Sequence, residues 1–225
     1  MTDYYRRHEK YAAAAWHRSF LKNAYRRSYQ ALESLGCSPL NLSRPRVLLC
    51  GAGASATVQE FAAFLCARKP STRLFVIDAA LQPLVASRAA LEAQSPTSDV
   101  TFLGADARAL PFADESFDLV ETDFLLQFLA SADRRAVLHE WARVLRPGGG
   151  LMTRDWVTFE RGLDPLWDVL RRAVLRAVLG VRTHAITGDD LREALREAGF
   201  EATVLRLGRF PLIHLIAGVA PGTGE

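Results

Sequence analysis

The sequence predicts an α/β protein: a doubly wound sheet of seven strands, mostly parallel, ending in an antiparallel hairpin and preceded by a helical lid. Three observations predict it. From residue 46 onward, short apolar runs alternate with stretches of helical spacing. Gly51-Ala52-Gly53 joins one such run, Val47-Leu48-Leu49-Cys50, to a helical stretch, which is the strand–turn–helix unit of nucleotide-binding sheets. Only Gly208-Arg209-Phe210-Pro211 separates the last two runs, a connection too short for a crossover, so they must pair antiparallel.

Composition sets the outer bounds. The chain has 225 residues, 49% of them apolar and 24% charged, ordinary values for a globular domain with a sizeable core. A net charge of +3 is too balanced to argue for nucleic acid as a partner. Cys37, Cys50 and Cys66 lack CxxC spacing, and Cys50 and Cys66, within a strand and a helix, read as buried reduced thiols. The polar, aromatic start Thr2-Asp3-Tyr4-Tyr5-Arg6-Arg7 does not read as a secretory signal. No apolar run reaches about 18 residues, so no membrane span is expected. A cytoplasmic protein is the default expectation.

The elements follow in order. Residues 3–35 read as helix in two pieces, rich in Tyr4, Tyr5, Tyr11, Trp16, Phe20, Tyr25 and Tyr29 with interleaved Arg and Lys. This density of aromatic rings with polar tips suits a lid over a ligand pocket; an amphipathic helix packed on the domain is the plainer reading. Gly36 to Pro45 is a linker, so residues 1–45 are expected to be lid and linker and residues 46–225 the ligand-binding domain. Ser55 to Arg68 is helical, with Val58, Phe61, Ala62 and Leu65 on one stripe. Leu74 to Ile77 is a strand ending at Asp78, where an acid can accept from both hydroxyls of a ribose. Pro83 to Gln94 is a helix, and Val100 to Leu103 a strand ending at Gly104-Ala105-Asp106. Phe117 to Thr122 is a strand ending near Asp123, and Ser131 to Leu145 a helix stopped by Pro147-Gly148-Gly149-Gly150. Leu151 to Arg154 is a strand ending at Asp155-Trp156. Asp164-Pro165 opens a helix to Leu179 within an insertion at about 160–186. That helix could touch a membrane surface, but packing on the core or at a dimer interface is the preferred reading. Thr187-Gly188-Asp189-Asp190 starts another helix, with Asp190 placed for a capping box. Phe200 to Leu207 and Leu212 to Val219 close the sheet.

These residues resemble the class I S-adenosylmethionine-dependent methyltransferases, nearest the small-molecule branch that includes the ubiquinone/menaquinone biosynthesis enzymes. Val47 to Ser55 is similar to the family's glycine motif, and Asp78 to its ribose-binding acid. Gly104 to Phe112 with Ser116 to Val120, and Val144 to Gly149, are similar to its later motifs. The resemblance implies a Rossmann-like fold and S-adenosyl-L-methionine as cofactor. It implies that Gly51, Ala52 and Gly53 supply the cofactor turn, that Asp78 with Ala79 takes the ribose, and that Asp106 with Ala107 takes the adenine edge. Thr122 and Asp123 would face the sulfonium, with Tyr11 and Trp16 closing over it. Leu49 stands where the family usually has an acid, Ser55 where it has a third glycine, and Gln127 where His is frequent.

A sulfonium is a strong electrophile, so the protein mainly holds a nucleophile in line and excludes water. Asp123, Asp155, Trp156 and His184 are the expected catalytic residues, from their places after strands or in a loop. Asp123 and Asp155 could hold a cation, but no further oxygen donor follows Trp156, and no metal is expected. The expected activity is methyl transfer to a small-molecule acceptor by a monomer or homodimer. A second reading transfers the aminobutyrate arm or cyclises it, releasing methylthioadenosine; Leu49, Ser55 and the N-terminal aromatics motivate it. A binding module without turnover is a third. An NAD-dependent oxidoreductase fits the glycine turn and Asp78 but leaves Asp106 unexplained.

Overall fold

The computed structural model describes residues 9, 12, 14–93, 99–159, 163–207 and 213–222. Its strands are β1 Arg46–Cys50, β2 Arg73–Asp78, β3 Asp99–Gly104, β4 Phe117–Asp123, β5 Leu145–Trp156, β6 Glu201–Arg206 and β7 Ile213–Val219. They form one seven-stranded sheet of order β3-β2-β1-β4-β5-β7-β6. The first five strands pair in parallel. β7 runs antiparallel between β5 and β6, as the short connection required. Strand order reverses between β1 and β4, which opens a crevice beyond their carboxyl ends.

Six helices stand among the described residues: α1 Ala15–Ser34, α2 Ser55–Arg68, α3 Leu81–Glu92, α4 Ser131–Val144, α5 Asp164–Leu179 and α6 Gly188–Glu197. Side chains alternate across the sheet, so each strand feeds two cores. Val47, Leu49, Leu119 and Met152 face α1 and α2, meeting Leu21, Tyr25, Leu32, Val58 and Phe61. Leu48, Cys50, Val120 and Leu151 face α4 and α6, meeting Val137, Leu138, Trp141, Leu191 and Leu195. Each large side chain buried there contributes about 1.5–3 kcal/mol. α1 is therefore one wall of the core. Tyr25 Oη donates to Thr57 O at 3.3 Å, and Arg18 reaches Glu60 and Gln59 on α2 at 2.8 and 2.7 Å.

Two expectations need correction. The sequence predicts a helix through Leu145, stopped by Pro147 to Gly150, and a strand from Leu151, but β5 begins directly at Leu145. Pairing with β4 advances from Phe117↔Leu145 to Leu119↔Gly150, so the extra residues of β5 form a bulge. Gly148 takes a left-handed φ of 73° there, and a Cβ on Gly149 would stand 2.8 Å from Arg146 O.

The second correction concerns α5, for which packing on the core was one preferred reading. None of its described apolar side chains joins a core cluster. Trp167 is 53% exposed and Leu170 51%, whereas Asp168 is 3% exposed. At α6 the expected capping box forms by half: Thr187 Oγ1 accepts from Asp190 N at 3.2 Å, while the Asp190 carboxylate turns to Arg134 and Arg135. No described helix is long and apolar enough to cross a membrane.

Candidate functional site

The crevice is built first by the turn after β1. Gly51 and Gly53 take left-handed φ values of 86° and 57°, which an L side chain resists. Gly51 N donates to Ile77 O at 2.8 Å, extending the β1–β2 ladder past the strand end. Asp78 reaches across from β2. Its Oδ2 accepts from Ala52 N at 3.0 Å and Gly53 N at 3.5 Å, and its Oδ1 accepts from Ala80 N at 2.8 Å. Burial raises the Asp78 pKa, and these N–H groups oppose the rise. The carboxylate thus ties the loop to β2. On the other flank, Thr122 Oγ1 donates to Cys50 O at 2.6 Å, and the residue is fully buried. Ala79 is exposed beside Asp78.

The N-terminal segment closes on this loop through Glu9 and Ala12. Glu9 Oε1 accepts from both Ser55 N and Ser55 Oγ, each at 2.9 Å, at the start of α2 where unpaired N–H groups favour an anion. Ala12 is fully buried against Ala54 and Ala56. Trp16 is 54% exposed, with its ring edge-on to His17. Tyr11, like Tyr4 and Tyr5, lies outside the described residues. Sequence reasoning missed Glu9; an isolated acid in a basic, aromatic stretch was the available signal.

Beyond β3, Asp106 is exposed and next to the half-buried Ala107. Arg108 binds both Asp106 oxygens, the shortest contact being 2.7 Å from Nη2, and its Nη1 reaches Asp133 at 3.1 Å. Hydrogen bonds from Arg108 lower the Asp106 pKa, so the acid is ionised and already partnered.

At the end of β4, Asp123 faces α1 and pairs with Arg154, which is fully buried, as is Glu121. The Arg154 guanidinium lies 4.4 Å from the Tyr25 ring centroid and 3.4 Å from Glu121 Oε1. Glu121 is the β4 neighbour of Leu49, so the carboxylate lacking at Leu49 stands one strand over. Burial pushes the Glu121 pKa up to about 8, against the pull of Arg154. A charge inside an apolar strand is uncommon, and Arg154 and Glu121 could have been singled out on that ground.

Asp155 follows Arg154 along the strand and so faces the opposite side of the sheet from Asp123. The two acids do not share a cation site, and no metal-binding cluster occurs among the described residues. Asp155 is fully buried, and burial raises its pKa to about 7. Its Oδ1 accepts from Trp156 N at 2.8 Å and its Oδ2 from Gln127 N at 3.2 Å. Gln127 is the hub of this half of the site. Its carbonyl accepts from His184 N at 2.7 Å, its Oε1 from Arg171 Nη1 at 2.8 Å, and its Nε2 donates to Phe124 O at 3.3 Å. Gln127 thus touches Asp155 and the His184 backbone directly and reaches Trp156 through Arg171, while Asp123 lies on the other face. Phe124, at a positive φ of 55°, lays its ring 5.9 Å from that of Trp156.

This crevice fits an adenosyl group. The left-handed turn opens its backbone, acids stand at the ends of β2 and β3, and Oδ1 of Asp78 keeps a lone pair beyond its bond to Ala80. Residues 47–149 match the family model described as a methyltransferase domain. Over this segment, just under half of the chain, the protein is similar to methyltransferase domains. The curated relatives matched over the same segment include ubiquinone/menaquinone-type methyltransferases.

The chain is 35% identical over 103 residues to the ubiquinone/menaquinone biosynthesis C-methyltransferase UbiE of Dinoroseobacter shibae, covering 45% of this chain and 40% of that one. It is 48% identical over 100 residues to a demethylmenaquinone methyltransferase of a Mycobacterium species, covering 44% and 43%. The matched segment thus spans less than half the length of these relatives. Among solved structures, the fold is similar to that of a putative methyltransferase of Haloferax volcanii in complex with the activator Trm112. The TM-score is 0.64 at 22% identity, over 95% of this chain and 97% of that one.

Proposed function

We propose that the protein transfers the methyl group of S-adenosylmethionine to a small-molecule acceptor. The observation that carries this reading is the Asp78-tied glycine turn, with the rings of Phe124 and Trp156 past the ends of β4 and β5. The cofactor supplies an activated methyl carbon. In this reading Asp78 accepts from the ribose, Asp106 from the adenine amino group, and the backbone of Gly51 to Gly53 faces the methionine end. Phe124 and Trp156 exclude water from the acceptor side. In this reading Asp155, whose pKa burial raises to about 7, and His184 take a proton from an acceptor that arrives protonated. The names of the relatives make a quinol-type ring the first acceptor to try.

The test incubates the full chain with S-adenosylmethionine, with and without a quinol acceptor, and separates the products by chromatography. S-adenosylhomocysteine formed only with acceptor supports the reading. Methylthioadenosine formed without acceptor would sink it in favour of attack on another sulfonium carbon.

A further inference from the structure

α5 is an amphipathic helix with its faces reversed. At about 100° per residue, Leu163, Leu166, Trp167, Leu170, Val174 and Val178 line one stripe, and these side chains are 49% to 65% exposed. The charges point inward instead. Asp168 is buried and accepts from Arg171 Nη2 at 2.7 Å and Arg172 Nε at 2.8 Å. Arg171 also donates to Gln127 and lies 4.9 Å from the Trp156 ring centroid. The protein grips this helix by its polar side and presents the apolar side outward. An apolar stripe of this length marks a surface that something else covers.

We propose that α5 docks on an anionic lipid surface, lying flat with Leu166, Trp167 and Leu170 at the boundary of headgroups and acyl chains. Charge decides for lipid over a second copy of the chain. Arg176 flanks the stripe and Arg182 follows the helix; both are exposed, with no ion pair among the described residues. The nearby acid Asp168 is already shared by two guanidinium groups. In an antiparallel two-fold pairing of the stripe, the two Arg176 side chains would fall along one edge and the two Asp164 side chains along the other, so neither finds a partner. Anionic headgroups match exposed arginines beside a Leu- and Trp-bearing face. This docking goes beyond methyl transfer and does not depend on it.

The test spins the full chain with vesicles of phosphatidylcholine alone, and with vesicles in which phosphatidylglycerol makes up about a third of the lipid. We expect cosedimentation with the anionic vesicles, weakened by added salt. Arg176→Glu should lower that binding by more than about fivefold, and Leu166→Glu/Leu170→Glu should leave the protein in the supernatant. Both leucines are more than half exposed, so the double variant should keep the wild-type melting transition. Wild-type protein that stays in the supernatant with both vesicles overturns the proposal, as does a folded double variant that binds like wild type. A dimer in sedimentation equilibrium that Leu170→Glu splits, with no vesicle binding, assigns the face to a second copy and also overturns it.

Discussion

Arg154 Nε donates to Asp123 Oδ1 at 3.0 Å, and Arg154 Nη2 lies 2.9 Å from the same oxygen, with the arginine fully buried. One guanidinium thus serves two carboxylates, Asp123 and Glu121, under the ring of Tyr25. Asp123 is committed to this pair, which removes it from the groups free to act as a base.

Arg154→Met should destabilise the fold by about 3–5 kcal/mol, because it leaves the buried Asp123 carboxylate without its counter-charge. Adding Glu121→Gln to that variant should recover part of the loss, by on the order of 1 kcal/mol, as expected for coupled neighbours. Urea denaturation measures both. A single-variant cost below about 1 kcal/mol would show that the cluster is solvated in solution.

Glu121 also gives the fold a pH dependence. Its folded pKa, about 8, stands above the ordinary 4.5 because of burial. As pH rises, the unfolded chain loses this proton first, so the stabilisation is complete below about pH 4.5 and is lost as pH climbs to about 8. Asp155, raised from 3.8 to about 7 by burial, acts in the same direction. Glu121→Gln should therefore lose less stability than wild type between pH 5 and pH 8. Melting curves at the two pH values check this, and an unchanged gap between the proteins would mean that Glu121 ionises alike in both states.

Asp78→Ala should weaken S-adenosylmethionine binding by about 2–4 kcal/mol, since the change removes charge-assisted hydrogen bonds to the ligand and to the loop. The folded core should survive, because Asp78 sits at the rim. Calorimetry that returns the wild-type Kd rules out the ribose assignment.

Asp106→Ala should cost about 1–2 kcal/mol of cofactor affinity and abolish preference for adenosyl over inosyl analogues. Arg108→Ala should not weaken binding, because Arg108 competes for the same carboxylate. Weaker binding in the arginine variant would make the Asp106–Arg108 pair itself the contact.

The strands and the crevice were legible because their signals are local. Val47 to Cys50 is apolar, Gly51 and Gly53 supply left-handed turns, and Asp78 ends β2. What depended on partners elsewhere was not legible. A proline-glycine run after α4 looks the same whether it is a loop or a bulge; pairing with Phe117 and Leu119 decides. The spacing in α5 shows a stripe, but the contacts of Arg171 with Gln127 and Trp156 set which side turns inward. That Glu121 neighbours Leu49 is visible only once the strands are in register. The N-terminal aromatics expected to form a cover lie partly outside the described residues; within them, Glu9 and Ala12 meet the start of α2.

The place of β7 bears on how the chain is made. Although β6 precedes β7 in sequence, β7 lies between it and β5. A nascent chain that has emerged through β6 cannot yet attach that strand, and β5 presents an unpaired edge to the ribosome's surroundings until Ile213–Val219 follows. Such an edge invites pairing with neighbouring chains. Folding intermediates that lack β7 should therefore be the species most prone to aggregate.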